Sequence, residues 1–305
     1  MNGQILKALR ESAGCLSGET LAARLGSSRA CVRDQIRDLK EAGYVIEASP
    51  VGYRLVSSPD LLLPYEFPDL EGRIHYFPQV GSTMDPARDL ARQGVEDGTM
   101  VVAEVQTRGR GRLSRQWLSP PGGIYFTLVL RPAISPAYAS RVNLMAAVAV
   151  ADTIKKAFGL DALVKWPNDV LLPVKKACGI LAEMEAEVDV VKFINLGIGI
   201  NANNPVSEFE ERATSLKQAL GRSVSRQEFL RALLTEIESW RALLMQRELL
   251  DEWRMLSATL DREVCIEAPG EVIAGKAVDV DDSGALIVEQ HDGSLKRAVA
   301  GDCIQ

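Results

Sequence analysis

Glu104-Val-Gln-Thr-Arg-Gly-Arg-Gly-Arg-Leu-Ser-Arg-Gln-Trp117 is the stretch from which the rest of the chain can be read. An apolar, β-branched run from Met100 to Val105 leads into it and reads as a buried strand. Gly109 and Gly111 then alternate with Arg108, Arg110, Arg112 and Arg115. Glycine lets a backbone curl close to a ligand. Successive N–H groups in such a curl form an anion-binding hollow. Arginine adds forked donors suited to phosphate and carboxylate. The stretch therefore predicts an anion-holding loop at the end of a strand. A basic, solvated loop is the plainer reading of a lone Gly/Arg run. A nucleic-acid-binding Gly/Arg tail would repeat the motif, whereas this run is short and lies between strands. A dinucleotide fingerprint needs a third glycine where Ser114 stands, and a helix where Ser119-Pro-Pro-Gly-Gly123 follows.

A second stretch, Leu163-Val-Lys165-Trp-Pro-Asn-Asp169-Val-Leu-Leu172, predicts a strand, a sharp turn and another strand. Pro167 sets its own φ and keeps Trp166 out of the helical region. Lys165 ends the first strand, and Asn168-Asp169 occupies the turn. A strand-end lysine also fits a surface charge, and Asn-Asp is ordinary turn chemistry.

Taken together, the two stretches resemble one family, the biotin–protein ligases, in the bifunctional form that also represses transcription. The Gly/Arg loop closed by Trp117, Lys165 to Asp169, Gly179-Ile-Leu-Ala-Glu183 and Gly197-Ile-Gly-Ile-Asn201 stand in that family's order. The resemblance covers nearly the whole chain.

Bulk properties bound the reading. At 305 residues the chain has room for about two or three domains and a sizeable core. A hydrophobic share of 47% with 25% charged residues is that of an ordinary soluble globular protein. A net charge of −6 argues against bulk electrostatic binding of nucleic acid, so any DNA contact needs a local basic surface. The five cysteines are scattered without metal-ligand spacing, and an odd count argues against a disulfide framework. A reducing cytoplasm fits. Two histidines, His75 and His291, lie far apart, which disfavours a histidine metal site or a Ser/His triad; no protein metal site is expected. No signal peptide or long apolar span is visible, so export and membrane insertion are disfavoured.

Residues 1–57 read as a winged helix-turn-helix. Ile5, Leu6 and Leu9 share a helix face. A short second helix starts at Ser17-Gly18-Glu19, with Leu21, Ala22 and Leu25 inward and Gly26 at the turn. Ser28 to Lys40 predicts a third helix that ends at Gly43, with Val32, Ile36 and Leu39 inward. Ser28, Arg29 and Arg33 lie near its exposed N-terminal end, where a recognition helix meets bases and phosphates. Tyr44 to Val56 predicts the wing. A three-helix protein-interaction module shares this pattern. A connector follows at 57–59 and 62–68.

Residues 70–258 predict a mixed-sheet α+β domain. A strand starts at Ile74, and a helix runs from Pro86 to Arg92. Ser82 or Thr83 fits a helix cap. Ile124–Leu130 predicts a strand, Arg141–Phe158 a helix with Leu144, Val148 and Ile154 inward, and Val190–Ile200 a buried strand. Asn201–Pro205 is a loop, and the polar stretch up to Thr214 is placed to order over a nucleotide. Gln227–Leu256 reads as helical, with Phe229, Leu233, Ile237, Trp240 and Leu244 in the core. Residues 262–305 alternate apolar and polar, with turns at Pro269-Gly270, Asp282-Ser-Gly284 and Asp292-Gly293. They read as a small β-barrel, similar to the family's SH3-like C-terminal domain. Gly270 to Lys276 mimics a phosphate loop, but Ala277 stands where Ser or Thr is required and strand alternation follows.

The resemblance implies a two-step ligation. Biotin and ATP give biotinyl-adenylate, with Mg²⁺ bridging the phosphates. A lysine of a biotin carboxyl carrier protein, an acetyl-CoA carboxylase subunit or similar, then takes the biotin. It also implies site residues. Ser82, Thr83, Met84, Gln106, Gly109, Arg110, Gly111, Arg112, Lys165 and Gly179 fall at the family's biotin positions. Met84 stands where that family commonly has Asn. Arg110, Arg112, Trp117, Lys165, Asn168 and Asn201 fall at nucleotide positions, with Lys165, Arg112 and Arg110 carrying the charge neutralisation. Operator DNA and a homodimer formed with the adenylate are the other expected partners. Two alternatives stand beside this: a lipoate–protein ligase on the same catalytic fold, and a regulator that only senses ligand.

Overall fold

The computed structural model describes residues 2–70, 72–206, 211–268 and 271–304. Its contacts divide into two compact units, residues 1–71 and 72–305.

The first unit holds helices α1 (Asn2–Glu11), α2 (Gly18–Leu25) and α3 (Arg29–Glu41), then an antiparallel hairpin of β1 (Val45–Ser49) and β2 (Gly52–Ser57). Serine hydroxyls start two of the helices. Ser17 Oγ accepts from Thr20 N at 3.0 Å, and Ser28 Oγ accepts from Cys31 N at 3.2 Å. Gly26 ends α2 in the left-handed region, at φ 58°, and so makes the turn between α2 and α3. Ile5, Leu6, Leu9, Leu21, Val32, Ile36 and Leu39 are buried together, as their spacing predicts. The packed unit runs past the boundary expected at residue 57. Leu62, Leu63 and Phe67 are buried, and the enclosed Glu66 carboxylate accepts from Arg10 Nη2 at 2.8 Å and from the Tyr44 hydroxyl. These side chains need cover, so the segment expected as a connector is part of the head.

The second unit is built on a seven-stranded sheet. Its strands are β3 (Ile74–Val80), β4 (Thr99–Gln106), β5 (Ile124–Leu130), β6 (Leu163–Lys165), β7 (Asp169–Leu172), β8 (Lys175–Ala186) and β9 (Val191–Ile200). Their spatial order is β3-β4-β5-β9-β8-β7-β6. Only β3 and β4 run parallel. Helix α4 (Met84–Arg92) packs on β4, β5 and β9. It begins two residues before the expected Pro86. The long α5 (Ser140–Phe158) is buried along most of its length, packed against β8 and against α7 (Arg226–Ala242) and α8 (Arg247–Leu256). Alternation assigns the two faces of β9. Phe193 clusters with Ala87 and Ala91 of α4, so Phe193, Asn195, Gly197 and Gly199 share the α4 face.

One expectation changes and one gap is filled. Gln227–Leu256 is two helices, broken at 243–246. Buried Leu244 fills the break, and Arg141 Nη2 donates to the Gln246 carbonyl at 2.5 Å. The motif Gly179–Glu183 lies in the middle of the long strand β8, which the sequence reading left unassigned. A short α6 (Leu216–Leu220) starts at Ser215 with a capping box.

The C-terminal strands β10 (Glu263–Ala268), β11 (Glu271–Val280), β12 (Leu286–Glu289), β13 (Leu295–Ala298) and β14 (Asp302–Ile304) form an antiparallel sheet in the order β13-β12-β11-β10-β14. Polar bonds join it to the larger sheet's domain. Arg141 Nη1 donates to Asp282 O at 2.9 Å, and the Trp166 indole donates to Gly284 O at 3.2 Å. The expected turns at 282–284 and 292–293 form on Asp281 and Asp292, whose carboxylates accept backbone N–H groups. The expected turn at Pro269-Gly270 lies outside the described residues. Among the described residues, no helix is long and apolar enough to cross a membrane.

Candidate active site

A cavity of about 1180 Å³ opens on the face of the large sheet, and both key stretches line it. Thr107 N and Arg108 N donate to Val80 O and Gly81 O, which extends the β3–β4 ladder beyond Gln106. The chain then folds back on itself. Gly111 N donates to Arg115 O at 2.8 Å, Trp117 N to Gly109 O at 2.9 Å, and Gln106 N to Ser119 O at 3.2 Å. A Cβ on Gly109 would stand 2.3 Å from Trp117 O, so this close approach requires glycine. Leu113 and Ser114 sit at φ 51° and 61°, a left-handed geometry that costs an L-residue about 1–2 kcal/mol. Ser114 is where a dinucleotide loop would need glycine. Glu104, at the start of the stretch, is buried against Arg226 Nη1 at 2.8 Å.

The cavity floor is made by two glycines. Gly179 on β8 pairs in register with Gly199 on β9. The Trp117 indole lies over them. A Cβ on Gly199 would stand 2.3 Å from Trp117 Nε1, and one on Gly179 would stand 2.9 Å from the ring. The Lys176 ammonium lies 5.3 Å from the Trp117 ring centroid and 2.7 Å from Asp169 Oδ1. That places a cation on the floor itself.

At one end, α4 and β4 meet through a fixed polar chain. Gln106 Oε1 accepts from Thr83 N at 2.8 Å and from Thr83 Oγ1 at 3.1 Å. Its Nε2 therefore points the other way and donates to Ser119 Oγ at 2.9 Å, which in turn donates to Trp117 O at 3.1 Å. Thr83 Oγ1 also meets Thr127 Oγ1 at 2.8 Å. The Thr83 hydroxyl thus serves this network and does not cap α4. Ser82 and Met84 are buried beside it, with Met84 Sδ 3.4 Å from Thr127 Oγ1. The thioether lies where a Cβ on Gly197 would be 2.6 Å away.

The structure brings Ser82, Thr83, Met84, Gln106, Arg110, Gly111, Arg112, Trp117, Lys165, Asn168, Gly179 and Asn201 onto the cavity wall. Gly109 supports the wall from within the loop. Lys165 is half-buried, and its ammonium has no partner among the described residues. Asn168 is tied inward. Its Nδ2 donates to Ile180 O at 2.6 Å, while its Oδ1 accepts from Arg112 Nη1 at 3.3 Å. Asn201 is buried, with Oδ1 accepting from Asn204 Nδ2 at 3.0 Å. Sequence reasoning missed Lys176, Asp169 and Ser119. Lys176 carries no local signal beyond lying three residues before Gly179. Cys178 lies beside it but is fully buried, and burial pushes its thiol up, so it supplies no thiolate.

In the first unit, Arg29 and Arg33 are exposed at the start of α3, and among the described residues neither guanidinium has a partner. Ser28 is committed to capping that helix.

Comparison with known proteins adds three findings. The sequence profile of the biotin/lipoate A/B protein ligase family matches residues 76–201. A helix-turn-helix domain profile matches residues 3–54, and the biotin protein ligase C-terminal domain profile matches residues 259–304. The chain is 35% identical over 304 residues to the bifunctional ligase/repressor BirA of Bacillus subtilis, covering 94% of this chain and 93% of that protein. It is 31% identical over 296 residues to the same-named protein of Escherichia coli, covering 94% and 91%. Among solved structures, it resembles a biotin protein ligase from Aquifex aeolicus in complex with biotin and ATP. The TM-score is 0.65 at 28% identity, covering 76% of this chain and 98% of that one.

Proposed function

The chain belongs to the biotin protein ligase family, alongside the bifunctional ligase/repressors, and from that membership we propose how its own residues do the work. It is an ATP-dependent ligase that activates biotin as the adenylate and passes it to a carrier-protein lysine, and a DNA-binding repressor. The observation that best supports the ligase reading is the Gly179/Gly199 floor, which sits under Trp117 and beside two lysines in one cavity.

In the first step a biotin carboxylate oxygen attacks the α-phosphorus of ATP, and pyrophosphate leaves. Two anions must meet, so the site has to cancel charge. We assign that work to Lys176 and Lys165, to Arg112, and to the loop amides around Gly109 and Gly111. The Ser82, Thr83, Met84 and Gln106 end is assigned to biotin. Met84 offers this pocket a thioether, where the family commonly offers an amide. Trp117 and the Asn201 loop are assigned to the nucleotide, and Asn168 holds Arg112. In the second step the carrier lysine amine attacks the biotinyl carbonyl, an amide forms, and AMP leaves.

Mg²⁺ is proposed to enter as part of MgATP, liganded mainly by phosphate oxygens and water. Among the described residues no three His, Cys, Asp or Glu side chains cluster to cage a metal. Asp169 is a carboxylate on the cavity wall, paired with Lys176. Free cysteines suit the reducing cytoplasm that is the proposed location.

Incubating the pure protein with MgATP and biotin, or with MgATP and lipoate, and weighing the adenylate by mass spectrometry tests the substrate. Biotinyl-adenylate is the expected product. Lipoyl-adenylate alone would move the protein to the sister activity.

Arg29 and Arg33 are assigned to operator DNA. One head in a chain of net charge −6 offers few phosphate contacts, so repression is proposed to need a dimer on a palindromic site. The loop segments 107–118 and 197–205 are proposed to order on the adenylate and favour that dimer. Sedimentation velocity with and without both substrates, paired with a DNA titration, is expected to show mass and DNA affinity rising together. An unchanged mass and affinity would separate repression from ligation.

A further inference from the structure

We infer that Glu183 is a positioning residue for adenylation: with Asp85 it brackets Arg110, cancels its charge and anchors the Arg/Gly loop to the sheet. This rests on the ligase reading. It also gives a task to the last residue of the Gly179–Glu183 motif, which the mechanism leaves idle.

The bracket joins three elements. Glu183 on β8 places Oε1 3.4 Å from Arg110 Nη1 in the loop. Its Oε2 lies 2.9 Å from Arg88 Nη2 on α4. Asp85, also on α4, places Oδ1 3.1 Å from Arg110 Nη2 and 3.6 Å from Arg88 Nη2. Two guanidinium groups and two carboxylates thus form a neutral square. Arg110 Nε and Nη2 are closed off from solvent and have no aligned hydrogen-bond acceptor, so charge rather than hydrogen bonding holds Nη2 to Asp85.

The chemistry follows from the neutrality. A guanidinium already flanked by two carboxylates offers little net field to a third anion, because the attractive and repulsive terms at these distances largely cancel. The sequence pattern alone makes Arg110 an anion ligand. The geometry makes it the peg that holds the base of the loop, while the loop amides, Arg112 and Lys165, unpaired among the described residues, face the substrate. A loop base that is already fixed loses less entropy when the loop closes over substrate.

Glu183→Gln removes the charge and keeps the shape. The expected result is a rise in KM for biotin and faster release of bound biotinyl-adenylate, each by about two- to fivefold, the scale of a partly exposed ion-pair network. Adenylation kcat should change less. Tryptic cleavage within 108–115 of the intact protein should accelerate with adenylate bound, which a purely structural role elsewhere would not produce. Asp85→Asn should act in the same direction, so the proposal stays testable if one variant folds poorly. Unchanged adenylate release and unchanged cleavage in both variants would overturn it. So would a lower KM for ATP or biotin, which would mean that an unmasked Arg110 binds the anion directly. A wild-type protein that makes no adenylate would sink the ligase reading instead, so the two failures can be told apart.

Discussion

Two arginines of the head, Arg29 and Arg33, and two of the active-site loop, Arg110 and Arg112, are set up in opposite ways. On α3, Arg29 and Arg33 stand exposed, and among the described residues their guanidinium groups have no partner. In the loop, Arg110 lies between two carboxylates and Arg112 reaches the Asn168 side chain. A bare arginine keeps its charge for a polyanion, where affinity comes from the number of phosphates neutralised. A paired arginine keeps its position for a small ligand that reacts in one geometry. On the proposed assignments, the same residue type serves recognition in one unit and preorganisation in the other.

Removing one unit outright has the largest expected effect. Deleting residues 1–71 is expected to abolish operator binding and leave measurable ligation. Deleting only 1–57 is expected to yield a less soluble protein, because it strips the cover from Leu62, Leu63 and Phe67. Size-exclusion chromatography of both truncations checks the second point. Operator binding retained by the shorter protein would show that the reading surface lies elsewhere.

Next come the two lysines of the cavity. Lys165→Ala is expected to slow adenylation by about 10²–10³, the typical loss when one electrostatic stabiliser is removed. Ligand-free DNA affinity should not change. Lys176→Ala, run beside it by pyrophosphate release, is expected to cost less, because Asp169 at 2.7 Å already offsets that ammonium. A larger effect at Lys176 than at Lys165 would move the central role to the lysine on the glycine floor.

These lysines also show how far the sequence could be read. Lys165 was legible through the resemblance, because Lys165–Asp169 follows the Gly/Arg loop in the family's order; alone, a strand-end lysine also fitted a surface charge. Lys176 was not legible, because its place depends on strand pairing and on a residue distant in sequence. The β7–β8 register shift between Val170 and Leu171 and the Trp117 indole, from another loop, accompany it there. The head was legible from local signals: serine caps, the Gly26 turn and an apolar stripe on each helix. The break at 243–246 was not, since Leu243, Leu244, Met245 and Gln246 favour helix and the interruption depends on Arg141, far back in the chain. Thr83 fitted a cap by position, yet its hydroxyl turned to Gln106 and Thr127, strands away.

A smaller effect is expected on the head itself. Arg33→Ala should weaken operator binding by about 1–3 kcal/mol and relax specificity at one base if it reads a base edge, or lower the salt slope by about one if it meets a phosphate. Anisotropy titrations at several salt concentrations separate the two. Unchanged affinity and slope would end the idea that bare α3 arginines are held ready for DNA. Ligation should be indifferent to the change.

The smallest effect sharpens the comparison from inside the core, where an unpaired polar group has no water to fall back on. Asn195 is 1% exposed, and neither its Oδ1 nor its Nδ2 has a hydrogen-bond partner among the described residues. Alternation puts it on the α4 face of β9 between Phe193 and Gly197, in register with Val129 on β5. Phe193 and Val129 are its apolar neighbours there, and Glu183 of β8 stands in register on its other side. An unsatisfied buried amide costs about 1–3 kcal/mol, and replacing it with an apolar group of similar size removes the cost. Asn195→Val is therefore expected to stabilise the second unit by about 1 kcal/mol, a rise in Tm of about 2–4 °C for a unit of this size. Thr127→Val, on the same face, is the contrast. Its hydroxyl is satisfied by Thr83, so losing it should destabilise by about 1 kcal/mol. Calorimetry on both variants, with and without biotin, decides the matter. If Asn195→Val lowers Tm, or raises KM for biotin, the amide holds a bound partner in the working protein and belongs with the paired groups of the site.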